Sequence, residues 1–325
     1  MCGKKGVHMS VANRRRTFGS VILVLLAVAL ALQAGCGPED YQKPIKQFQD
    51  ASAVVITATE AFLNNMNTIE QNKAIDEAMF ERKPLNLPEL DTIQIISPEE
   101  IKLRTDALSA LSQYTSNLAE LATGSSGSAV GDSTKKASAA LKTAADDAKK
   151  LPAAKGTPLQ NAKFSGLASA AASAIGAVAQ LMVENKARHV IVQSVEENDS
   201  AITALIEQIR DDATLAYARQ MNQLGEYGTQ LAKDYDDDLK RNVDPLSLLS
   251  FAQTVKAYRA QQAQLKAANP ANAIDKMGKA HQALVAYVKS DKNPKTFAEL
   301  VTAAQEFATA AKPLGEAVQA LLAAH

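Results

Sequence analysis

The stretch Ile96-Ser97-Pro98-Glu99-Glu100-Ile101 carries a complete helix start. Ser97 stands at the N-cap, where its side-chain oxygen accepts from the backbone N–H three residues on. Pro98 takes the first helical position, where the missing N–H would have had no intrahelical partner. Glu100 reaches back to the Ser97 amide and closes a capping box, and Ile96 and Ile101 are spaced as a hydrophobic staple across it. The design recurs along the chain. Thr157-Pro158-Leu159-Gln160, Asp244-Pro245 and Asn269-Pro270 are further starts of cap plus proline, and Thr296-Phe297-Ala298-Glu299 offers another capping box. Between them Ala, Leu, Gln, Lys and Glu dominate, all strong helix formers. The chain therefore predicts an all-α fold.

These signals divide the chain into about seven helices. The first spans about 39–81, on the order of 65 Å if straight. Its apolar residues Tyr41, Ile45, Phe48, Val55, Phe62, Met66 and Ile69 alternate in steps of four and three, with Ser52 and Thr59 completing the series. That is a coiled-coil-like seam facing partner helices. Residues 83–96, with Pro84 and Pro88, form an extended crossover. A helix over 98–122 turns Leu108, Leu111, Leu118 and Leu121 inward, and Gly124-Ser-Ser-Gly-Ser128 is a flexible loop. A weakly apolar helix over 133–151 packs loosely at the surface. A long pair follows, at 158–195 and 197–241, the second with Ile202, Leu205, Ile209, Leu224, Leu231 and Leu239 inward. Shorter helices cover 245–267, 270–290 and 296–323. The architecture is an elongated antiparallel bundle, with 244–325 as a candidate subdomain. Leu111-x-x-Tyr114-x-x-x-Leu118-Ala119 recurs as Leu224-x-x-Tyr227-x-x-x-Leu231-Ala232, a match that ordinary core periodicity also produces.

The beginning of the chain has a different character. Residues 1–35 hold Lys4, Lys5, Arg14, Arg15 and Arg16 and no acid. Val21 to Leu32 is a continuous apolar run, and Ala34 and Gly35 lead into Cys36. A charged segment, an apolar segment and a small-residue cleavage site make up a secretory signal. Arg14 to Arg16 supply enough charge for Met9 to be the start in place of Met1. Residues 17–38 are uncharged throughout, long enough to span a bilayer if the signal stays uncleaved.

Ala34-Gly35-Cys36 resembles the lipobox that ends bacterial lipoprotein signals, although Gln33 stands where Leu is usual. The resemblance covers about the first tenth of the chain. It implies cleavage between Gly35 and Cys36, a diacylglycerol thioether on the Cys36 sulfur, and anchoring in a membrane of the cell envelope. By the same resemblance Gly37, in place of an Asp after the cysteine, implies the outer membrane facing the periplasm. Against it stand an uncleaved anchor with an incidental Cys36, and a cleaved soluble protein.

Chemistry is harder to find. Residues 36–325 hold 30 basic and 35 acidic residues, a balance without pull toward nucleic acid. With a lone cysteine they can form neither an internal disulfide nor a Cys-based zinc site. The residues three before His8, His189, His281 and His325 are Lys5, Lys186, Gly278 and Leu322, so the Glu-x-x-His of bundle di-iron sites is absent. His-Glu-x-x-His, Cys-x-x-Cys-His, Gly-x-Ser-x-Gly and the phosphate-loop fingerprints are absent as well. His189 reads as a capping or half-buried side chain near a helix end. Asp234, Asp236 and Asp238 fit the first positions of an EF-hand loop, but Leu239 and Pro245 occupy its obligatory Gly and Glu positions, which leaves a solvated acidic helix end.

Phe164 to Val183 is uncharged over a membrane-spanning length, with Ser165, Ser169 and Ser173 on one stripe and Ala168, Ala172 and Gly176 on another. It reads as a central helix enclosed by its neighbours, or as an inserting segment of a pore-forming bundle. The expectation is a lipid-anchored envelope protein, not an enzyme, with no cofactor and no metal, that holds or recruits an envelope protein partner. The crossover 83–96 and the loop 124–128 are the first places to look. A pore-forming bundle using 164–183 and a small-ligand receptor are the alternatives.

Overall fold

The computed structural model describes residues 38–81, 83–94, 96–123, 128–150, 161–184, 186–241, 244–290 and 293–323. Every regular element among them is an α-helix: α1 (Pro38–Phe80), α2 (Leu87–Leu90, a single turn), α3 (Pro98–Thr123), α4 (Ser128–Ala148), α5 (Asn161–Val183), α6 (Arg188–Lys240), α7 (Pro245–Ala267), α8 (Ala271–Lys289) and α9 (Pro294–Ala323). The chain divides into two compact units, Met1–Lys43 and Pro44–His325. Of the first, the structure describes the opening residues of α1, 38–43; everything below concerns the second.

The local start signals act as their chemistry dictates. The Glu100 amide donates to Ser97 Oγ at 3.1 Å, and the Ser97 amide donates to Glu100 Oε2 at 2.7 Å. Ile96 and Ile101 are both buried beside this box, in one core cluster with Phe62, Leu224 and Leu231. Asp244 Oδ1 accepts from the Leu246 amide at 2.9 Å, and Asn269 Oδ1 from the Ala271 amide at 3.0 Å. Thr157-Pro158 lies outside the described residues.

Cross-contacts set the helix directions. Thr134 of α4 donates to the Gln113 carbonyl of α3, and Ser138 of α4 to the Ala172 carbonyl of α5. Arg188 at the start of α6 reaches the Leu121 carbonyl near the end of α3, while Arg104 near the start of α3 meets Asp212 far along α6. Tyr235 of α6 stacks on Phe251 of α7, and Tyr227 on Tyr258. Lys289 of α8 pairs with Glu196 of α6 at one end, and Asp275 with Arg210 at the other. Each of the pairs tied at two points, α3 with α6, α6 with α7 and α6 with α8, runs antiparallel. Helices α1 and α9 run parallel, since Phe48 meets Phe307 and Val54 meets Gly315. The helices after Asp244 thus pack on α1 and α6 within the second unit.

The α1 seam is buried as its spacing predicts: Ile45, Phe48, Ser52, Val55, Thr59 and Phe62 all face inward. Thr59 satisfies its hydroxyl on the Val55 carbonyl at 2.7 Å, so a polar residue is tolerated in the seam. Side chains of Tyr41, Met66 and Ile69 lie outside the described set. Leu108, Leu111, Leu118 and Leu121 of α3 are buried.

Several boundaries depart from the sequence reading. The long pair breaks at residues 184–187, not near 196. The Lys186 amide donates to the Leu181 carbonyl five residues back, which closes the end of α5, and α6 then runs unbroken through 196. Helix α4 begins at Ser128, where a loop was expected, and it is better packed than its composition suggests. Gly131, Thr134, Ser138, Leu141 and Ala145 form a continuous buried face, while Lys135, Lys136 and the other charges point outward. Helix α9 begins at Pro294 because Asn293 caps it, accepting from the Lys295 amide at 2.9 Å; Thr296 sits inside the first turn and donates to the Asn293 carbonyl. The crossover 83–96 contains the single turn α2.

Candidate functional site

Three regions combine polar or exposed groups in ways that bear on function: a buried ion pair, a buried histidine and an exposed apolar end.

The ion pair ties three helices together. Arg104 of α3 is 2% exposed and donates to Asp212 of α6, with Nη2 2.6 Å and Nε 2.9 Å from Oδ2. Its Nη1 bonds to the Glu100 carbonyl at 3.0 Å and its Nη2 to Asn161 Oδ1 at 3.3 Å. Asn161, the first residue of α5, returns a bond to Glu100, the same carboxylate that closes the capping box. The guanidinium lies 4.7 Å from the ring centre of Phe164, a cation–π contact. Gln208 donates to the other Asp212 oxygen at 2.8 Å. Burial raises the Asp212 carboxyl above the ordinary value, and Arg104 opposes the rise. The network is closed off from solvent and nearly saturated with partners, which is the character of a structural tie.

His281 of α8 is fully buried. Its ring centre is 5.6 Å from that of Tyr114 on α3, and its Nδ1 is 3.8 Å from Asp199 Oδ1 on α6, beyond hydrogen-bond reach. Neither ring nitrogen has a hydrogen-bond partner among the described residues. Burial lowers its pKa to about 4, against a smaller upward pull from Asp199, so the ring is neutral at pH 7. The Tyr114 hydroxyl, also unpartnered among the described residues, is pushed up by burial.

The third region lies where α1 ends and α6 turns into α7. Tyr227 of α6 donates to Asp76 of α1 at 2.5 Å. Both helices run the same way, since α1 is parallel to α9, α9 is antiparallel to α8 through Lys276–Glu306 and Tyr287–Phe297, and α8 is antiparallel to α6. Met79 therefore stands about one turn beyond this bond, as Leu231 does on α6. Met79, Leu85 and Leu87 are strongly exposed, and so are Leu239 on α6 and Leu246 and Leu249 on α7. Leu239 was expected in the core; it is 48% exposed, near the turn of the α6–α7 hairpin. Tyr258 of α7 lies so close to Gly228 of α6 that a Cβ at 228 would collide with the Tyr258 hydroxyl. Glycine thus sets the α6–α7 spacing at this end.

The predicted site residues are distributed as follows. Gly35 and Cys36 lie outside the described residues, as do residues 124–127. Residues 83–94 are exposed along most of their length, and Ile96 is pinned by Asn67, which bonds both its carbonyl and its amide. His189 does lie at a helix end, in the first turn of α6, but it is exposed rather than half-buried. Asp234 to Asp238 wind around the last turns of α6, with Asp234 accepting from Gln230 and Asp237 paired with Lys240.

Phe164–Val183 falls entirely within α5. Phe164, Ala168, Ala172, Ile175, Val178 and Met182 are buried. The Ala168-Ala172-Gly176 stripe serves close packing: a Cβ on Gly176 would lie 2.8 Å from Ser138 Oγ of α4. The serine stripe does not act as a unit, since Ser165 is buried and Ser173 exposed. By length and hydropathy α5 also meets the requirement for a membrane span.

The clefts are open and their walls carry mixed charge. One of them, about 660 Å³, lies between α6 and the start of α8, with Lys163, Arg210, Asp211 and Asp275 on its walls. Arg210 is already held by Asp211 and Asp275. The buried Arg104–Asp212 pair and His281 carried no sequence signal, because their partners are remote in the chain. The exposed leucines after Lys240 were not singled out in the sequence, although apolar residues next to an acidic helix end are a signal that could have found them. Comparison with protein-family models, with curated proteins and with solved structures yields no match.

Proposed function

We propose that the chain is a lipid-anchored cell-envelope protein whose helical unit acts as an interaction module. The acyl anchor sits on Cys36, exposed after cleavage at Gly35, and the membrane is the outer one, with the unit facing the periplasm. The observation that carries the interaction reading is that Met79, Leu239, Leu246 and Leu249 are all exposed and all lie toward one end of the unit, past the Tyr227–Asp76 bond on α1 and past the Tyr235–Phe251 stack on the α6–α7 hairpin. Apolar side chains gathered in one region mark contact surfaces more often than scattered ones do. The anchor rests on the basic, apolar and small-residue order of the leader, ending two residues before α1 begins. The packed polar interior supports a structural rather than a catalytic role for Arg104, Asp212 and His281.

The anchor is tested by membrane fractionation of the wild type beside Cys36→Ser, with the mature mass of each. The expected result is a wild type that pellets without residues 1–35 and with a lipid-sized mass increment, while the variant keeps its unmodified precursor mass. Two full-length forms of unmodified mass, both in the membrane, would make the apolar run an uncleaved anchor and Cys36 incidental.

A further inference from the structure

The geometry points to a partner of defined chemistry at the exposed apolar end: an amphipathic helix of another protein whose apolar face is flanked by lysine or arginine. This deepens the interaction reading and rests on it. Leu246 is 77% exposed and Met79 is 71% exposed, values that leave nearly the whole side chain in water. Leu246 and Leu249 are three apart on α7, on one face, and Leu239 closes the α6 side of the hairpin. Leu87, in the crossover that follows α1, is 63% exposed. Met79 lies past the Tyr227–Asp76 bond on α1, and Leu239, Leu246 and Leu249 lie on the turn side of the Tyr235–Phe251 stack, so they share one end of the unit; an amphipathic helix docks on such side chains with anchors at three- and four-residue spacing.

Charge selects the occupant. Segments 77–91 and 233–249, which carry these side chains, contain nine acidic and five basic residues. That excess accounts for most of the net negative charge of residues 36–325. Two of the five cations are already taken, Lys83 by Glu81 and Lys240 by Asp237, while Asp236 stands exposed beside Leu239. An anionic bilayer surface is repelled by such a rim, and so is a second copy presenting the same end. A helix with basic flanks gains attraction at the rim and burial at the leucines.

The test uses the full chain held in neutral phosphatidylcholine nanodiscs, with empty nanodiscs as the blank. Two labelled amphipathic peptides of about five helical turns, one Leu/Lys and one Leu/Glu in the same pattern, are titrated by fluorescence anisotropy. The Leu/Lys peptide is expected to bind at least about tenfold tighter than the Leu/Glu peptide and to weaken as salt rises. Leu246→Ser/Leu249→Ser is expected to lose about tenfold of that affinity, and Asp236→Asn/Asp238→Asn to lose part of it, both with unchanged helical circular dichroism. Equal binding of the two peptides, or binding indifferent to both variants, would overturn the assignment. Leucine-dependent association with phosphatidylglycerol vesicles in place of peptide binding would make the end a membrane surface and overturn it as well. If neither peptide binds, the partner class is wrong; the interaction reading itself then fails if a photo-crosslinker at Leu246 contacts no protein in cells.

Discussion

Acid sensitivity should trace to one imidazole. His281 has an ordinary value of 6.5 and, fully buried between Tyr114 of α3 and Asp199 of α6, a folded-state value of about 4. Between those values the unfolded chain carries a proton on this ring and the folded chain does not. Stability is therefore intact above pH 6.5 and falls as pH drops through the window toward 4. At about 1.4 kcal/mol per tenfold change, the group withdraws on the order of 2 kcal/mol between pH 7 and pH 4.5. His281→Phe keeps a ring in the site and removes both nitrogens, which have no hydrogen-bond partner among the described residues. The variant should match the wild type at pH 7 to within about 1 kcal/mol, and should outlast it at pH 4.5. Urea unfolding curves of both proteins across this range give the difference directly, because the other titrating groups are common to the two chains and cancel. Two pH profiles that run parallel would refute the buried neutral imidazole.

Other predictions concern the ties between helices. Asp212→Asn leaves Arg104 buried beside a neutral partner and should cost about 3 kcal/mol, whereas Arg104→Met/Asp212→Leu should recover most of that loss; urea midpoints of the three chains decide it. Ser97→Ala should cost about 1 kcal/mol through the lost N-cap bond, and Ser97→Asp much less, read from thermal unfolding. Gly228→Ala forces Tyr258 aside and should cost about 1–2 kcal/mol, with Tyr258→Leu suppressing the loss in the double variant. Wild-type protein added to dye-loaded vesicles should cause no leakage, since release of α5 requires exposing Phe164, Ile175 and Met182; leakage would favour an inserting bundle.

Helix starts were legible because their chemistry is local: Ser97, Asp244 and Asn269 each cap amides within three residues. The α1 seam was legible because one periodicity, from Ile45 to Phe62, governs burial along a long helix. Two boundaries were missed. The end of α5 at Val183 falls in a stretch that was read as continuous helix, and Asn293-Pro294 was passed over for the capping box at Thr296. The pairing of Arg104 with Asp212, 108 residues apart, depends on which helix faces meet, and no local rule reports that. Leu239 shows the converse limit. Its spacing fits the α6 core face, but the residue is half exposed near the hairpin turn, and periodicity alone does not say where along a helix burial ends.

The central claim, that the unit presents a contact surface at its apolar end, is tested most directly by photo-crosslinking in living cells. The crosslinker is placed in turn at Leu246, at Leu87 and at Thr143, an exposed position on α4. The account predicts a discrete protein adduct from Leu246 and Leu87, none from Thr143, and loss of the adducts when Cys36→Ser is combined with the probe. No adduct from Leu246 or Leu87, or the same mixture from all three positions, would contradict it.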